Sequence, residues 1–117
     1  MSRVVKEKVN NWITIEITGT AGSPEQLWNT SIVVNKWFAQ GPVTNVNGYA
    51  LAPTSAVSFV SSIGAVINTQ AATAGVGAEL IFKSAVVDHR DNEDLKNWWF
   101  VPGTTGDRLI VVARLVP

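Results

Sequence analysis

Between Trp12 and Thr18 the chain alternates without a break: Ile13, Ile15 and Ile17 fall on one side, and Trp12, Thr14, Glu16 and Thr18 on the other. A two-residue period is that of a half-buried strand, and it predicts strands over 3–9 and 11–19. Gly19, Gly22 and Ser23-Pro24 end the run. The stretch 23–41 fits two templates. Ser23-Pro24-Glu25-Gln26 has the form of a helix start and Gly41-Pro42 that of a stop. The β-branched run Thr30–Val34 resists a helix because its side chains lose χ1 freedom there. The balance predicts a short helical turn at 24–29 and a strand at 31–39.

Asn47-Gly48 is the residue pair of a two-residue hairpin turn, so a strand is expected from Tyr49. Residues 55–67 fit a helical stripe and an alternating strand equally, and Gly64 with the β-branched and Ser content tilts them towards strand. A small-residue loop at 71–77 precedes a strand at 78–87. Asp88–Asn97 is strongly polar and reads as a solvated loop or helical turn. The chain then finishes as a terminal hairpin, with Trp98–Val101 and Arg108–Val116 joined by Pro102–Asp107. In its last arm Leu109, Val111, Ala113 and Leu115 face one way and Ile110, Val112 and Val116 the other. A strand apolar on both faces belongs in the middle of packed layers or at an interface.

Recurrent short strands separated by turn signals predict a mainly β fold, a single-domain β-sandwich or small barrel over 1–117 with at most one short helix. The alternative is α+β, with 24–39 helical. At 117 residues there is core for one domain.

Charge sharpens the functional reading. Nine Lys and Arg balance nine Asp and Glu, so the basic footprint of a nucleic-acid protein is missing and nucleic acid is not the expected primary partner. Only 15% of residues are charged, against about 25% in an average domain. None of them lies between Lys36 and Glu79, a run of 42 residues. Ion-free surface is cheap to desolvate, and interface cores are depleted of charge. The run 43–78 is therefore expected to press against other protein.

Five tryptophans carry the next expectation. As neighbours on one strand, Trp98 and Trp99 point to opposite faces, so one of them must meet solvent, ligand or another subunit. Trp12 opposes the isoleucine face and raises the same question. Trp12, Trp98, Trp99, Ile110 and Val112 are thus the candidate contact residues, whether for protein or for a stacked sugar.

Catalytic chemistry finds little to work with. Without Cys, and with His89 as the one histidine, nucleophilic and metal sites lose their usual ligands. His89 reads as an exposed loop residue. Asp88, Asp91, Glu93 and Asp94 lack the spacing of a calcium loop. No catalytic, cofactor or metal residue is assigned. Met1–Lys8 is followed by no apolar stretch of a secretory leader, and no apolar run has the length of a spanning helix. Synthesis in the cytosol is the matching expectation. The class these features favour is a non-enzymatic assembly subunit that self-associates, a virion capsid or decoration protein being the leading form. A carbohydrate-binding module, with a glycan on exposed Trp, is the second candidate. A membrane-active protein, inserting an alternating hairpin from 54–79, is the third.

Overall fold

The computed structural model describes residues 2–55, 60–61, 69–70, 79–81 and 86–116. The chain is mainly β. In order its strands are β1 (Ser2–Val9), β2 (Trp12–Thr18), β3 (Glu25–Gln26), β4 (Val33–Gln40), β5 (Tyr49–Ala52), β6 (Val60–Ser61), β7 (Thr69–Gln70), β8 (Glu79–Ile81), β9 (Val86–His89), β10 (Glu93–Asp94), β11 (Trp99–Pro102) and β12 (Arg108–Leu115). One 3-10 turn at Leu95–Asn97 precedes β11.

Two antiparallel sheets face each other. The larger runs β1-β2-β12-β4, with β10 and β9 lying along successive halves of β4; the smaller runs β3-β11-β5-β8. The isoleucine face of β2 meets Leu109, Val111 and Ala113 of β12 and Trp37 and Ala39 of β4. Tyr49, Leu51 and Phe100 close the same core from the smaller sheet. Tyr49 and Phe100 meet edge to face at 5.6 Å, an arrangement that suits the ring quadrupoles. Burying each of these large side chains stabilises the fold by roughly 1.5–3 kcal/mol.

The β1–β2 hairpin turns at Asn10-Asn11, where Asn10 takes φ 55°, a conformation asparagine tolerates better than most residues. Arg3 ties this hairpin to the other sheet: its Nε donates to the Gln26 carbonyl at 2.7 Å, and its guanidinium lies 4.0 Å from Glu25.

Several expectations are corrected. The helical turn at 24–29 is replaced by β3, and no helix of seven residues or more occurs among the described residues, so the α+β alternative falls. Asn47-Gly48 does not close a hairpin. β4 and β5 lie in different sheets, and the segment between them crosses the sandwich. The terminal hairpin is likewise absent: β11 pairs with β3 and β5, whereas β12 pairs with β2 and β4. β12 lies inside the larger sheet between β2 and β4, with Leu109, Val111 and Ala113 in the core and Ile110 and Val112 half-buried on the outer side. The Pro102–Asp107 crossing is pinned instead by Gly19, which accepts from the Gly106 N–H and donates to the Asp107 carbonyl. The strand at 31–39 is found as β4. Of the strand expected at 78–87, β8 and the start of β9 are seen, and 82–85 lie outside the described residues. Of 55–67, only β6 lies within them beyond residue 55. Nearly half of the ion-free run, at 56–59, 62–68 and 71–78, is also outside.

Candidate functional site

Paired residues of antiparallel strands share a face, so the register maps the outer side of the larger sheet row by row. One row is Val9, Trp12, Arg114 and Lys36; the next is Glu7, Thr14, Val112, Phe38 and Asp88; a third is Val4, Glu16, Ile110, Gln40 and Val86. Trp12, Phe38, Ile110 and Val112 are half-buried at the centre. At the two rims Val4 is 45%, Val9 53% and Val86 58% exposed. Each strand across the sheet from β1 to β9 thus places at least one apolar side chain on this face, with Glu7, Glu16, Gln40 and Asp88 set between them.

Several ions of this face are engaged within it. Arg108 lies 3.2 Å from Glu16, and Arg90 2.9 Å from Asp88. Arg114 donates to Asn35 Oδ1 at 2.8 Å and holds its guanidinium 5.7 Å from the centre of the Trp12 ring. Lys36 places its ammonium 5.2 Å from the Phe38 ring centre. Trp12 and Phe38 themselves lie 6.2 Å apart and within 9° of parallel. Cation–π contact and alkyl stems let the two basic residues cover aromatic surface.

Polar Asp88–Asn97 is not a loop throughout. It closes β9 at His89, bends over 90–92, resumes as β10 and ends in the 3-10 turn. Asp94 caps that turn: its carboxylate accepts from Ser31 Oγ, Ile32 N and Lys96 N. The Ser31 hydrogen bond is the largest cause holding its pKa below the usual carboxylate value, against the opposing effect of burial. Glu93 accepts from Trp37 Nε1 at 2.7 Å.

His89 is half-buried, which overturns the exposed-loop expectation. Its ring stacks on Trp37 at 4.4 Å, meets Trp98 edge to face at 4.8 Å, and places Nδ1 3.7 Å from Glu93. The register explains this: His89 sits opposite Trp37 and shares its inward face. Asp88, Glu93 and Asp94 are thus divided among separate partners, and among the described residues no three of His, Cys, Asp or Glu group as a metal site would require.

Of the five candidate contact residues, the fold brings Trp12, Ile110 and Val112 together on the outer face. Trp98 goes into the core, 5.2 Å from Trp37. Trp99, half-buried, lies in the smaller sheet, paired with Gln26 and Ala52. The opposition of the two neighbouring tryptophans is real, but it sends Trp99 to a different surface from Trp12. Phe38, Lys36 and Arg114 were missed. Their signal was in the chain, since Lys36, Phe38 and Gln40 alternate with the inward Trp37 and Ala39.

A second surface lies beside the start of β12. Asn45 is buried and makes two bonds to Arg108: its Nδ2 donates to the carbonyl at 2.7 Å, and its Oδ1 accepts from the amide at 2.8 Å. Asp107 accepts from Val46 N and Asn47 N. This clamp leaves Val43 and Val46 standing in solvent.

No known family model matches the chain, and no curated protein matches it.

Proposed function

We propose that this chain is a non-enzymatic assembly subunit that works by contact with further copies of itself, through the outer face of its larger sheet. A virion capsid or decoration protein is the setting that the low charge and the ion-free run favour. The single observation that carries the proposal is the set of apolar residues on this face, where half-buried Trp12, Phe38, Ile110 and Val112 are flanked by exposed Val4, Val9 and Val86 at the rims. The Arg108–Glu16 and Arg90–Asp88 pairs within the face lower the cost of covering it. The sole histidine is committed to two indoles and a carboxylate, which supports a role without catalysis.

The parallel Trp12 and Phe38 rings support a second reading, a platform for a sugar. Arg114 and Lys36 stand over those rings, so a sugar would have to compete with both cations. Protein contact is therefore preferred.

Sedimentation equilibrium of the full chain tests the proposal. The wild type is expected to gain mass with concentration. Val112→Lys, with its stem over the sheet and its charge in the contact, is expected to weaken association at least about tenfold while unfolding at a similar temperature. A wild type that stays monomeric at about 1 mM would put self-affinity weaker than about −4 kcal/mol and refute the assembly role.

A further inference from the structure

β1 ends the larger sheet. Among the described residues it pairs with β2 alone, and its other edge offers a row of main-chain N–H and C=O groups, the template on which another strand can build. Its register with β2 puts Arg3, Val5 and Lys8 on the inward face and Val4, Glu7 and Val9 on the outward face, with a bulge between Val5 and Glu7. Alternation from Val5 places Lys6 outward as well, so the bulge sets two outward residues of opposite charge side by side.

That defect makes β1 self-complementary. In an antiparallel pair, facing residues must share a face. Laying a second β1 against the first with Val4 opposite Val9, Val5 opposite Lys8 and Lys6 opposite Glu7 satisfies this at all six positions. A one-residue slip sets inward against outward residues. A two-residue slip sets Val5 against Lys6 or Glu7 against Lys8, again on opposite faces. In the matching register the Lys6–Glu7 ion pair occurs twice about a two-fold axis. The outward pairs Val4–Val9 carry apolar surface across the junction.

We propose that a second copy of this chain adds along β1 in this antiparallel register, fusing two larger sheets into one. This names the partner and one geometry for the assembly role above, and it rests on that role. Lysines and bulges discourage strand addition at an edge; here the bulge sets Lys6 against Glu7 of the second copy and so favours this register over its one- and two-residue slips.

The test is a charge swap in the full chain, read by sedimentation equilibrium. Lys6→Glu alone and Glu7→Lys alone each create two like-charge contacts and are expected to raise the dissociation constant about tenfold. The double variant and the equimolar mixture of the two single variants are expected to return within about threefold of wild type. The chain has no cysteine, so oxidation of Val4→Cys mixed with Val9→Cys is expected to give a disulfide dimer, and neither variant alone should do so. Association that ignores the charge swap, or a Val4→Cys sample that cross-links to itself as readily as to Val9→Cys, would overturn the edge proposal. If association still responds to Val112→Lys in that case, the face reading survives it; a monomeric wild type removes both.

Discussion

Truncating Asn45 to alanine removes both side-chain bonds that hold the loop before β5 to the first residue of β12. Asn45 is only 5% exposed, and its two bonds satisfy the amide and the carbonyl of Arg108 at 2.8 and 2.7 Å. A main-chain group left without a partner costs about 1–3 kcal/mol where water cannot replace the bond. The site is part-buried, which lets some water in, so the two groups together should cost about 2–4 kcal/mol. For a domain of this length a kilocalorie corresponds to about 4 °C in Tm, giving a fall of about 8–16 °C. Against a total stability of about 5–15 kcal/mol that is a large fraction. Urea and thermal unfolding followed by tryptophan fluorescence would measure it. Asn45→Asp is the control: it keeps an acceptor for the Arg108 amide but turns an oxygen towards the Arg108 carbonyl, so it should cost at least as much as losing one bond. A loss below about 0.5 kcal/mol for Asn45→Ala would refute the reasoning, because the clamp would then be replaceable by solvent.

Two further perturbations probe the frame. Asp94 has a folded-state pKa below its ordinary value, chiefly through the Ser31 hydroxyl and then through the Ile32 and Lys96 amides. The folded state therefore holds the ionised form more firmly than the unfolded chain does, and the stabilisation is present above the ordinary value of 3.8 and lost as pH falls through the folded pKa. Chemical unfolding of wild type and Asp94→Asn across about pH 6 to 2 should show the wild-type advantage shrinking towards the acid end; a constant gap would contradict the assignment. Gly19→Ala would place a methyl 2.8 Å from the Phe100 ring and 2.9 Å from Pro102. That crowding should destabilise by about 1–3 kcal/mol in the same unfolding assay, and a neutral result would mean that the two sheets can part at this point without cost.

The fold class was legible because alternation is a local property. Ile13, Ile15 and Ile17 declare their face within seven residues, and β4 could be recognised from its β-branched start. Sheet membership was not legible, because it depends on which strand lies beside which. Asn47-Gly48 has the chemistry of a tight turn, and its immediate neighbours look like a hairpin, but Asp107, and Arg108 through the loop's own Asn45, capture the loop from about sixty residues away. Local turn preference is worth less than that set of buried bonds. The same limit applies to His89, whose charged neighbours point to solvent in sequence but whose own side of β9 faces Trp37. For the contact face, Trp12, Ile110 and Val112 could be identified from their alternation. Phe38 escaped because the strand that carries it was assigned in outline only, without its faces.

The distribution of apolar surface on the outer face bears on how subunits would meet. At the centre, Arg114 and Lys36 stand over Trp12 and Phe38, so the chain covers part of its own aromatic surface. At the rims Val4, Val9 and Val86 have no such roof and are about half exposed. Protecting an isolated sheet calls for the opposite pattern, with charges along the rims to repel other strands and apolar side chains confined to the middle. Lys6 and Lys8 partly meet that need on β1, yet Glu7 offers Lys6 a partner of opposite sign in a second copy. A single sheet-on-sheet contact would bury mainly the roofed centre and leave the bare valines at its margin. Lateral addition at β1 covers Val4 and Val9 first, and leaves Arg114 and Lys36 where they are. The bare rims thus favour growth in the plane of the sheet, and they make the β1 edge the place where association should begin.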